Sequence, residues 1–363
     1  MKETIMAFKE YDRKPTFLDM EIQRGFENSR NRQILPEIDE TIHWEPLEEI
    51  VAEHYPVGQS ESGNKAYPPL MLLKAMLIQK WFGIKSDPDL ENQINDRFSF
   101  KAFIGLPFSE PSPDHSIICR FRERIGKDTL EKVHQELLMQ FDGLGFSIES
   151  GMAVDARVIK SASRPVSDKI LRDLREKRKI KAQMRKKTQR AMRFERDLDS
   201  DWTVKNKIPM FGMKEHAAVD VESGLVLSTH VSKASEHDTN YFSYVVTKGI
   251  HGKQCPTVYA DKGYCGKANR EFLSMNGIDD GIMRKSQINA SLTEMEIGRN
   301  KMISMIRYKI EQYFGITHKY HGAGKARFTT ILKETWDHLC GAMAFNVKRV
   351  ILSLRKQQMM TAT

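Results

Sequence analysis

The order of strand-like and helix-like segments after residue 150 constrains the fold of this chain more than any other feature. Apolar runs rich in β-branched residues alternate there with amphipathic stretches, and Gly, Ser or Asp residues separate them. The pattern predicts three strands, a helix, a strand, a helix, a strand and then further helices. This order is typical of a mixed α/β domain built on one central sheet, with the first strand at its centre.

The N-terminal part of the chain has a different pattern, because apolar residues recur there at helical spacing. One predicted helix begins at Pro68 and Pro69 and continues through LMLLKAMLIQKWF, with prolines tolerated at the first turn. We therefore expect an all-helical domain over residues 1–149 and an α/β domain over residues 150–363.

One short predicted helix of the N-terminal part carries three arginines at alternate positions, Arg120, Arg122 and Arg124. Short helices joined by tight turns are compatible with a helix-turn-helix module that enters a DNA groove. The alternative is a helical packing domain with a solvated basic face, and the sequence favours neither.

Neither the cysteines nor the apolar stretches suggest an oxidising compartment or a membrane. The four cysteines are widely spaced, which argues against a disulfide framework or a structural zinc site. The most apolar window is interrupted by Lys74 and Lys80 and is too short to span a bilayer. We expect a cytosolic protein.

Positive charge is concentrated in one stretch of the chain. Residues 169–196 hold 13 Lys or Arg against 3 acidic residues, a net of +10, whereas the whole chain carries +9. Such a local excess is expected of a surface that contacts the DNA backbone, with Arg178, Lys186 and Arg190 as candidate contacts. A solvated helical hairpin is the alternative.

Two aspartates occupy unusual places in predicted strands. Asp155 lies in the middle of the first strand, although aspartate is depleted in strands and costly to bury unless it is paired or bound to a metal. Asp261 directly follows an apolar strand, and open α/β sheets bind ligands at the carboxyl ends of their strands. Taken alone, each is better explained as an ordinary strand-edge or turn residue, Asp155 facing water or capping a turn and Asp261 starting one.

A third carboxylate, Glu311, lies beside the apolar stripe of a single long helix predicted over residues 292–315. An ordinary ion pair with Arg307, one turn upstream, is the simplest alternative role for it. Together with Asp155 and Asp261, Glu311 would complete an all-oxygen ligand set that suits two Mg²⁺ ions, with Mn²⁺ as a substitute.

Four motifs occur in a fixed order: VDARVIKSA, FGMKEHAAVDVESGLVLSTHVSKASEHD, VYADKGYCG and IRYKIEQYFG. In order and spacing they resemble the DDE transposases of bacterial insertion sequences, specifically the insertion sequence 5 group of the insertion sequence 4 and 5 superfamily. The resemblance covers about residues 45 to 350. It implies an RNase H-like catalytic core whose acidic triad, Asp155, Asp261 and Glu311, binds two divalent metal ions.

The signature helix of that family matches this chain only in part. The Arg expected four residues before the Glu is Arg307, whereas the expected Tyr and Lys positions hold Ser304 and His318. Lys319 is adjacent to the latter position. The resemblance implies that Arg307 and Lys319 contact DNA phosphate.

The resemblance further implies binding to the terminal inverted repeats of the element, Mg²⁺-dependent cleavage and strand transfer into target DNA by at least a homodimer. It implies DNA-end binding or dimerisation as the role of residues 1–149, and the cytoplasm of a bacterium as the location. The basic stretch becomes an insertion at about residues 166–210, and Lys214 and His216 flank the metal edge. Two alternatives stay open, an RNase H-like nuclease without strand transfer and a domesticated DNA-binding protein.

Overall fold

The computed structural model describes residues 8–11, 17, 20–21, 24, 34–58, 65–184, 197–205, 207–286 and 290–361. The chain divides into two compact units, residues 1–147 with 340–363 and residues 148–339. Within the described ranges, no helix combines the length and the apolar character needed to cross a membrane.

Helices make up the described regular structure of the first unit. They are α1 (Ile34–Thr41), α2 (Trp44–His54), α3 (Pro69–Trp81), α4 (Asp87–Asp96), α5 (Phe98–Ile104), α6 (His115–Gly143) and the C-terminal part of α12 (Ile331–Thr361). Gly126 interrupts α6 with φ 72° and ψ 168°, so that two helical segments are joined there. The indole nitrogen of Trp81 donates to the Ala344 carbonyl at 2.8 Å, which ties α3 to the last helix.

The second unit combines strands and helices. Its elements are β1 (Met152–Lys160), α7 (Asp168–Met184), β2 (Asp201–Lys205), β3 (Ile208–Asp220), β4 (Val226–Lys233), α8 (Phe242–Ile250), β5 (Thr257–Ala260), α9 (Lys267–Met275), β6 (Asp279–Ile282), α10 (Glu294–Ile306), α11 (Tyr308–Tyr320) and the start of α12. Apart from α7 and the short β2, which both lie in the basic insertion between β1 and β3, the order of strands and helices is the predicted one.

The strands form one mixed sheet with β1 at its centre. Strand β3 pairs antiparallel with β1 on one side and with β4 on the other, while β5 and then β6 continue the sheet parallel to β1. Strand β2 pairs with the first five residues of β3. The predicted α/β fold is confirmed, because an antiparallel β1–β3–β4 meander extended by two parallel strands is the RNase H-like arrangement.

Different helices cover the two faces of the sheet. Successive strand residues point to opposite faces, so Asp155 and Arg157 share one face and Val154 lies on the other. Helix α11 packs on the first face, where Arg157 donates to the Phe314 carbonyl at 2.8 Å. Helix α8 packs on the second face, where Ser228 donates to the Val245 carbonyl at 2.6 Å. The two predicted strand aspartates therefore share a face with α11.

The prediction of one helix over residues 292–315 is wrong, because α10 ends at Ile306 and α11 begins at Tyr308. Arg307 separates them with φ −67° and ψ −7°, which turns the chain without a glycine or proline. Its side chain is 8% exposed and reaches Asp155. The break lets α10 pack against β5 while α11 packs against β1 and β3.

Gly151 lets β1 lie close to β5, and its replacement by alanine should destabilise the catalytic sheet. Its φ is +122°, and an added Cβ would lie 2.2 Å from the Thr257 carbonyl oxygen. We expect Gly151→Ala to lower the free energy of unfolding by about 1–3 kcal/mol, measured by urea denaturation.

Gly298 provides the matched control, because it lies in α10 and an alanine Cβ there would meet nothing within 4 Å. Gly298→Ala is expected to leave stability unchanged or to raise it by about 0.5–1 kcal/mol. Equal effects of the two substitutions would show that the Gly151 backbone is not under this constraint.

Candidate active site

Asp155 lies in β1, and Asp261 directly follows the adjacent parallel strand β5. The register of β1 with β5 pairs Ala153 with Tyr259 and Val154 with Ala260, so Asp155 and Asp261 follow neighbouring positions, and the charge of Asp261 acts on Asp155. Parallel strands in register direct aligned side chains to the same face of the sheet. The structure therefore brings together two carboxylates that lie more than 100 residues apart in the sequence.

Asp261 also begins the turn that follows β5. It is the N-cap of the short 3₁₀-helix Lys262–Tyr264, and its Oδ1 accepts a hydrogen bond from the Gly263 amide at 2.7 Å. The turn leaves the other carboxylate oxygen, Oδ2, available at the edge of the sheet. Holding one oxygen in the turn orients the carboxylate.

Asp155 is held between a cation and a neighbouring anion. Its Oδ2 accepts from the Arg307 guanidinium at 2.6 Å, and its Oδ1 accepts from the Ala156 amide at 2.8 Å. The pKa of Asp155 is raised to about 6, chiefly by burial and in addition by the charge of Asp261, while Arg307 and Lys205 oppose the shift. A cation bound beside the two aspartates would favour the ionised form of Asp155.

Glu311 lies in the first turn of α11 and is exposed. Arg307, which sequence spacing offered as its ion-pair partner, instead binds Asp155. Among the described residues, no cation lies within ion-pair distance of Glu311. The donor atoms of the three carboxylates are not all within 4.8 Å of one another, so Asp155, Asp261 and Glu311 do not form a compact triad in this structure.

The residues at this edge fit divalent metal ions. Carboxylate oxygens are the ligands that hard cations such as Mg²⁺ prefer, and no thiolate or imidazole is part of the set. The hydroxyl of Tyr264 is buried within electrostatic reach of Asp155 and Asp261, and no described residue forms a hydrogen bond with it. The carboxylates of Asp155 and Asp261, together with the Tyr264 hydroxyl, are therefore suitable ligands for a bound cation.

A buried ionic cluster, which we define as Arg157, Glu215, Tyr313 and His338, lies next to Asp155 on the same face of the sheet. Glu215 is fully buried; its Oε2 accepts from Arg157 Nε at 2.6 Å and its Oε1 from the Tyr313 hydroxyl at 2.7 Å. His338 Nδ1 lies 3.1 Å from Oε2 of Glu215. Sequence reasoning missed this cluster.

The cluster is held in its charged form. The Arg157 guanidinium and His338 hold the pKa of Glu215 well below its usual range despite burial, and Glu215 raises the pKa of His338 to about 9. On its other side, His338 faces Glu334, whose carboxylate accepts from the Arg327 amide at 3.0 Å. At neutral pH the cluster is an ion network that ties helices to the sheet.

Lys214 and His216, predicted to flank the metal edge, lie on the opposite face of β3 from Glu215. Lys214 donates to the Glu236 carbonyl and pairs with Asp238, each at 2.8 Å. His216 is 1% exposed, and burial lowers its pKa to about 3. The structure therefore places both in internal polar contacts.

Of the predicted contacts in the basic insertion, Lys186 and Arg190 lie outside the described residues. Arg178, on α7, is 38% exposed and pairs with Asp199 at 3.0 Å. Lys319 is exposed near the end of α11, with its ammonium 5.0 Å from the Tyr320 ring. Both cations stay accessible to a phosphate.

The three arginines of α6 differ in their surroundings. Arg122 is 2% exposed at its side chain and forms a two-pronged ion pair with Asp87 at 2.9–3.0 Å. Arg120 and Arg124 are exposed. Arg122 therefore connects α6 to α4, and the other two form the basic surface of the helix.

A different group of possible metal ligands lies in the first unit. Glu91, Asp114 and His115 bring three donor atoms within 4.8 Å of one another, the one such group in the described part of the chain. Their contacts explain the grouping, because Asp114 caps α6 through the Ser116 amide and His115 contacts Glu91 at 2.8 Å. The group is a helix start stabilised by polar side chains.

Sequence matches to known families agree with this arrangement. Residues 147–335, more than half of the chain, match the family described as the transposase DDE domain, and residues 24–124 match a transposase domain (DUF772). The class defined by the fold and these matches is an enzyme of DNA transposition. The chain belongs to the transposase DDE domain family and is a DDE transposase of an insertion sequence, a class that generally uses divalent metals.

Several solved structures match parts of this chain at low sequence identity. The piggyBac transposase in a synaptic complex with hairpin DNA is 8% identical over 91% of this chain and 76% of its own, with a TM-score of 0.43. The Mos1 transposase in a paired-end complex with the left transposon end is 8% identical over 81% of each chain, with a TM-score of 0.21. The catalytic core domain of BIV integrase is 16% identical over 34% of this chain and 74% of its own, with a TM-score of 0.19. Family membership rests on the sequence matches.

Proposed function

We propose that this transposase binds the terminal inverted repeats of its own insertion sequence, cleaves the DNA at those ends and joins the freed 3′ hydroxyls to target DNA. The observation that supports it most is that Asp155 lies in β1 and Asp261 directly follows β5, the parallel strand paired with β1. A pair of strand-end carboxylates at one sheet edge is suited to in-line displacement at phosphorus. We place the element in the insertion sequence 5 group.

Asp155, Asp261 and Glu311 would hold two Mg²⁺ ions, for which Mn²⁺ can substitute. When bound, these ions would activate the attacking oxygen and stabilise the leaving oxygen. Arg307 presents a buried guanidinium at Asp155, where it can donate to a non-bridging phosphate oxygen. Lys319, farther along α11, adds a second cation for the DNA backbone.

Recognition of the ends is assigned to the N-terminal helices, residues 1–149, with Arg120 and Arg124 on the exposed side of α6. Arg178 and the basic insertion would contact the backbone near the catalytic edge, with the strong salt dependence of such contacts. Two ends must be brought together, so the active complex is a homodimer at least.

The test uses DNA duplexes that carry the sequence flanking the coding region on each side. In Mg²⁺ we expect nicks at the ends of the flanking inverted repeats and, with added plasmid, covalently joined products. Omission of metal or addition of EDTA should abolish both reactions. Cleavage without joined product would instead identify a nuclease, and cleavage indifferent to the end sequence would contradict the proposal.

A further inference from the structure

We propose that the buried ionic cluster positions helix α11, and with it Glu311, over the paired aspartates; this inference rests on the proposed function. Glu311 has no ion-pair partner among the described residues that would fix its place. Its position is therefore set by the helix that carries it. Tyr313 and Phe314, two and three residues farther on, are the helix residues that the cluster holds.

Two hydrogen bonds connect the cluster to α11 directly. Tyr313, 1% exposed, donates its hydroxyl to Glu215 Oε1 at 2.7 Å. Arg157 donates to the Phe314 carbonyl at 2.8 Å, and its guanidinium lies 4.8 Å from the Phe314 ring. Both partners of α11 belong to the sheet, Glu215 to β3 and Arg157 to β1. The helix is thus fixed at the turn after Glu311.

Strand β1, which carries Arg157, also carries Asp155 of the aspartate pair. Arg157 is two residues from Asp155 on β1, so both side chains point to the same face. Arg307 holds the other end of this stretch of helix through its ion pair with Asp155. Glu311 lies between these two attachments. Because charged hydrogen bonds are short and directional, the cluster limits how far α11 can shift along the sheet.

A precise position matters because displacement of a catalytic group by about 1 Å can reduce the rate about a hundredfold. Tyr313 and His338 are positioning residues in this account, since neither contacts the aspartates. Loss of the Tyr313 hydroxyl should therefore lower the rate of cleavage and leave DNA affinity unchanged. Substitution of a residue that only stabilises the fold would not lower the cleavage rate while leaving the DNA affinity unchanged.

The structure offers a matched pair of substitutions for the test. Tyr313→Phe and Thr229→Val each remove one hydroxyl that donates to the same oxygen, Glu215 Oε1, at 2.7 and 3.0 Å. Both side chains are buried, but Thr229 lies on β4 and Tyr313 on α11. Similar losses of stability are expected for both, whereas only Tyr313→Phe should loosen α11.

Three measurements are made on the full-length wild type and both variants. We expect the single-turnover cleavage rate of end DNA at saturation to fall about tenfold or more in Tyr313→Phe and less than about twofold in Thr229→Val. The dissociation constant for the same DNA should be unchanged in both. Amide hydrogen exchange within α11, without DNA or metal, should accelerate about tenfold in Tyr313→Phe alone.

Equal rates in the two variants, whether both reduced or both normal, would overturn the inference, as would unchanged exchange in α11 of Tyr313→Phe. Failure of the proposed function is a separate result, since it appears as absent end-specific cleavage by the wild type. The exchange experiment requires no activity, so it tests the attachment of α11 independently.

Discussion

An enzyme in which Asp155 is replaced by asparagine is expected to lose about a thousandfold or more of its DNA cleavage rate while keeping its affinity for DNA ends. The substitution keeps the size of the side chain but removes the charge that, with Asp261, would hold a divalent ion. Metal ions contribute several kcal/mol to such reactions, and about 4 kcal/mol corresponds to a thousandfold in rate. Single-turnover cleavage and DNA-binding titrations measure the two quantities.

Isothermal titration calorimetry with Mn²⁺ tests the same substitution without catalysis. The affinity of Asp155→Asn for Mn²⁺ should be lower than that of the wild type, in parallel with its lower cleavage rate. Asp173→Asn is the matched control, because Asp173 is an exposed carboxylate on α7 paired with Lys177 at 2.8 Å. It should cleave like the wild type. Cleavage by Asp155→Asn within tenfold of the wild type would remove Asp155 from the catalytic site.

The largest effect on stability is expected for Glu215→Gln. The amide keeps the shape of the side chain but leaves Arg157 in the core without its counter-charge and leaves His338 with Glu334 alone. Removing one partner of a buried ion pair costs about 3–5 kcal/mol, because the remaining charge stays desolvated. We expect a loss of that order in the free energy of unfolding, measured by urea denaturation of the full chain.

The same Asp173→Asn control shows how much an exposed ion pair contributes to the free energy of unfolding. Asp173 and Lys177 are 60% and 64% exposed at their side chains and lie four residues apart on a helix. Such pairs contribute a few tenths of a kcal/mol. If Glu215→Gln lost no more than that control, the buried cluster would not be a source of stability in this fold.

The sequence predicted the sheet because the information that specifies it is local. Apolar runs bounded by turn residues marked every strand of the core, and the transition to a helical pattern marked α8 and α9. Strand β2 was missed because its stretch, DWTVK, is short and half polar. It forms only because the N-terminal extension of β3 is available for pairing.

The paired aspartates were foreseeable for a related reason. The chain places an acidic residue within one apolar run and another directly after a second run, and parallel strands bring such positions to one edge. The same argument, that charge is rare within buried strands, also applies to Arg157 and Glu215. That argument does not identify the partners of Arg157 and Glu215, because the strand register decides which charges face each other.

Arg307 shows where local reasoning fails. Its spacing predicted a pair with Glu311 on one continuous helix, yet its guanidinium binds Asp155, 152 residues away, and the helix is interrupted at that position. An interaction four residues away contributes little at an exposed site, whereas a buried charge pair is strong enough to decide the backbone path.

The sequence by itself determined the order of elements, the family and the acidic residues that could carry the chemistry, because hydrophobic periodicity and motif order are properties of neighbouring residues. Only the tertiary structure decided which charges are joined: Arg307 with Asp155, Arg122 with Asp87, and Glu215 with Arg157 and His338. The physical reason is that burial removes water from competition, so each charge takes the partner that the fold brings within reach.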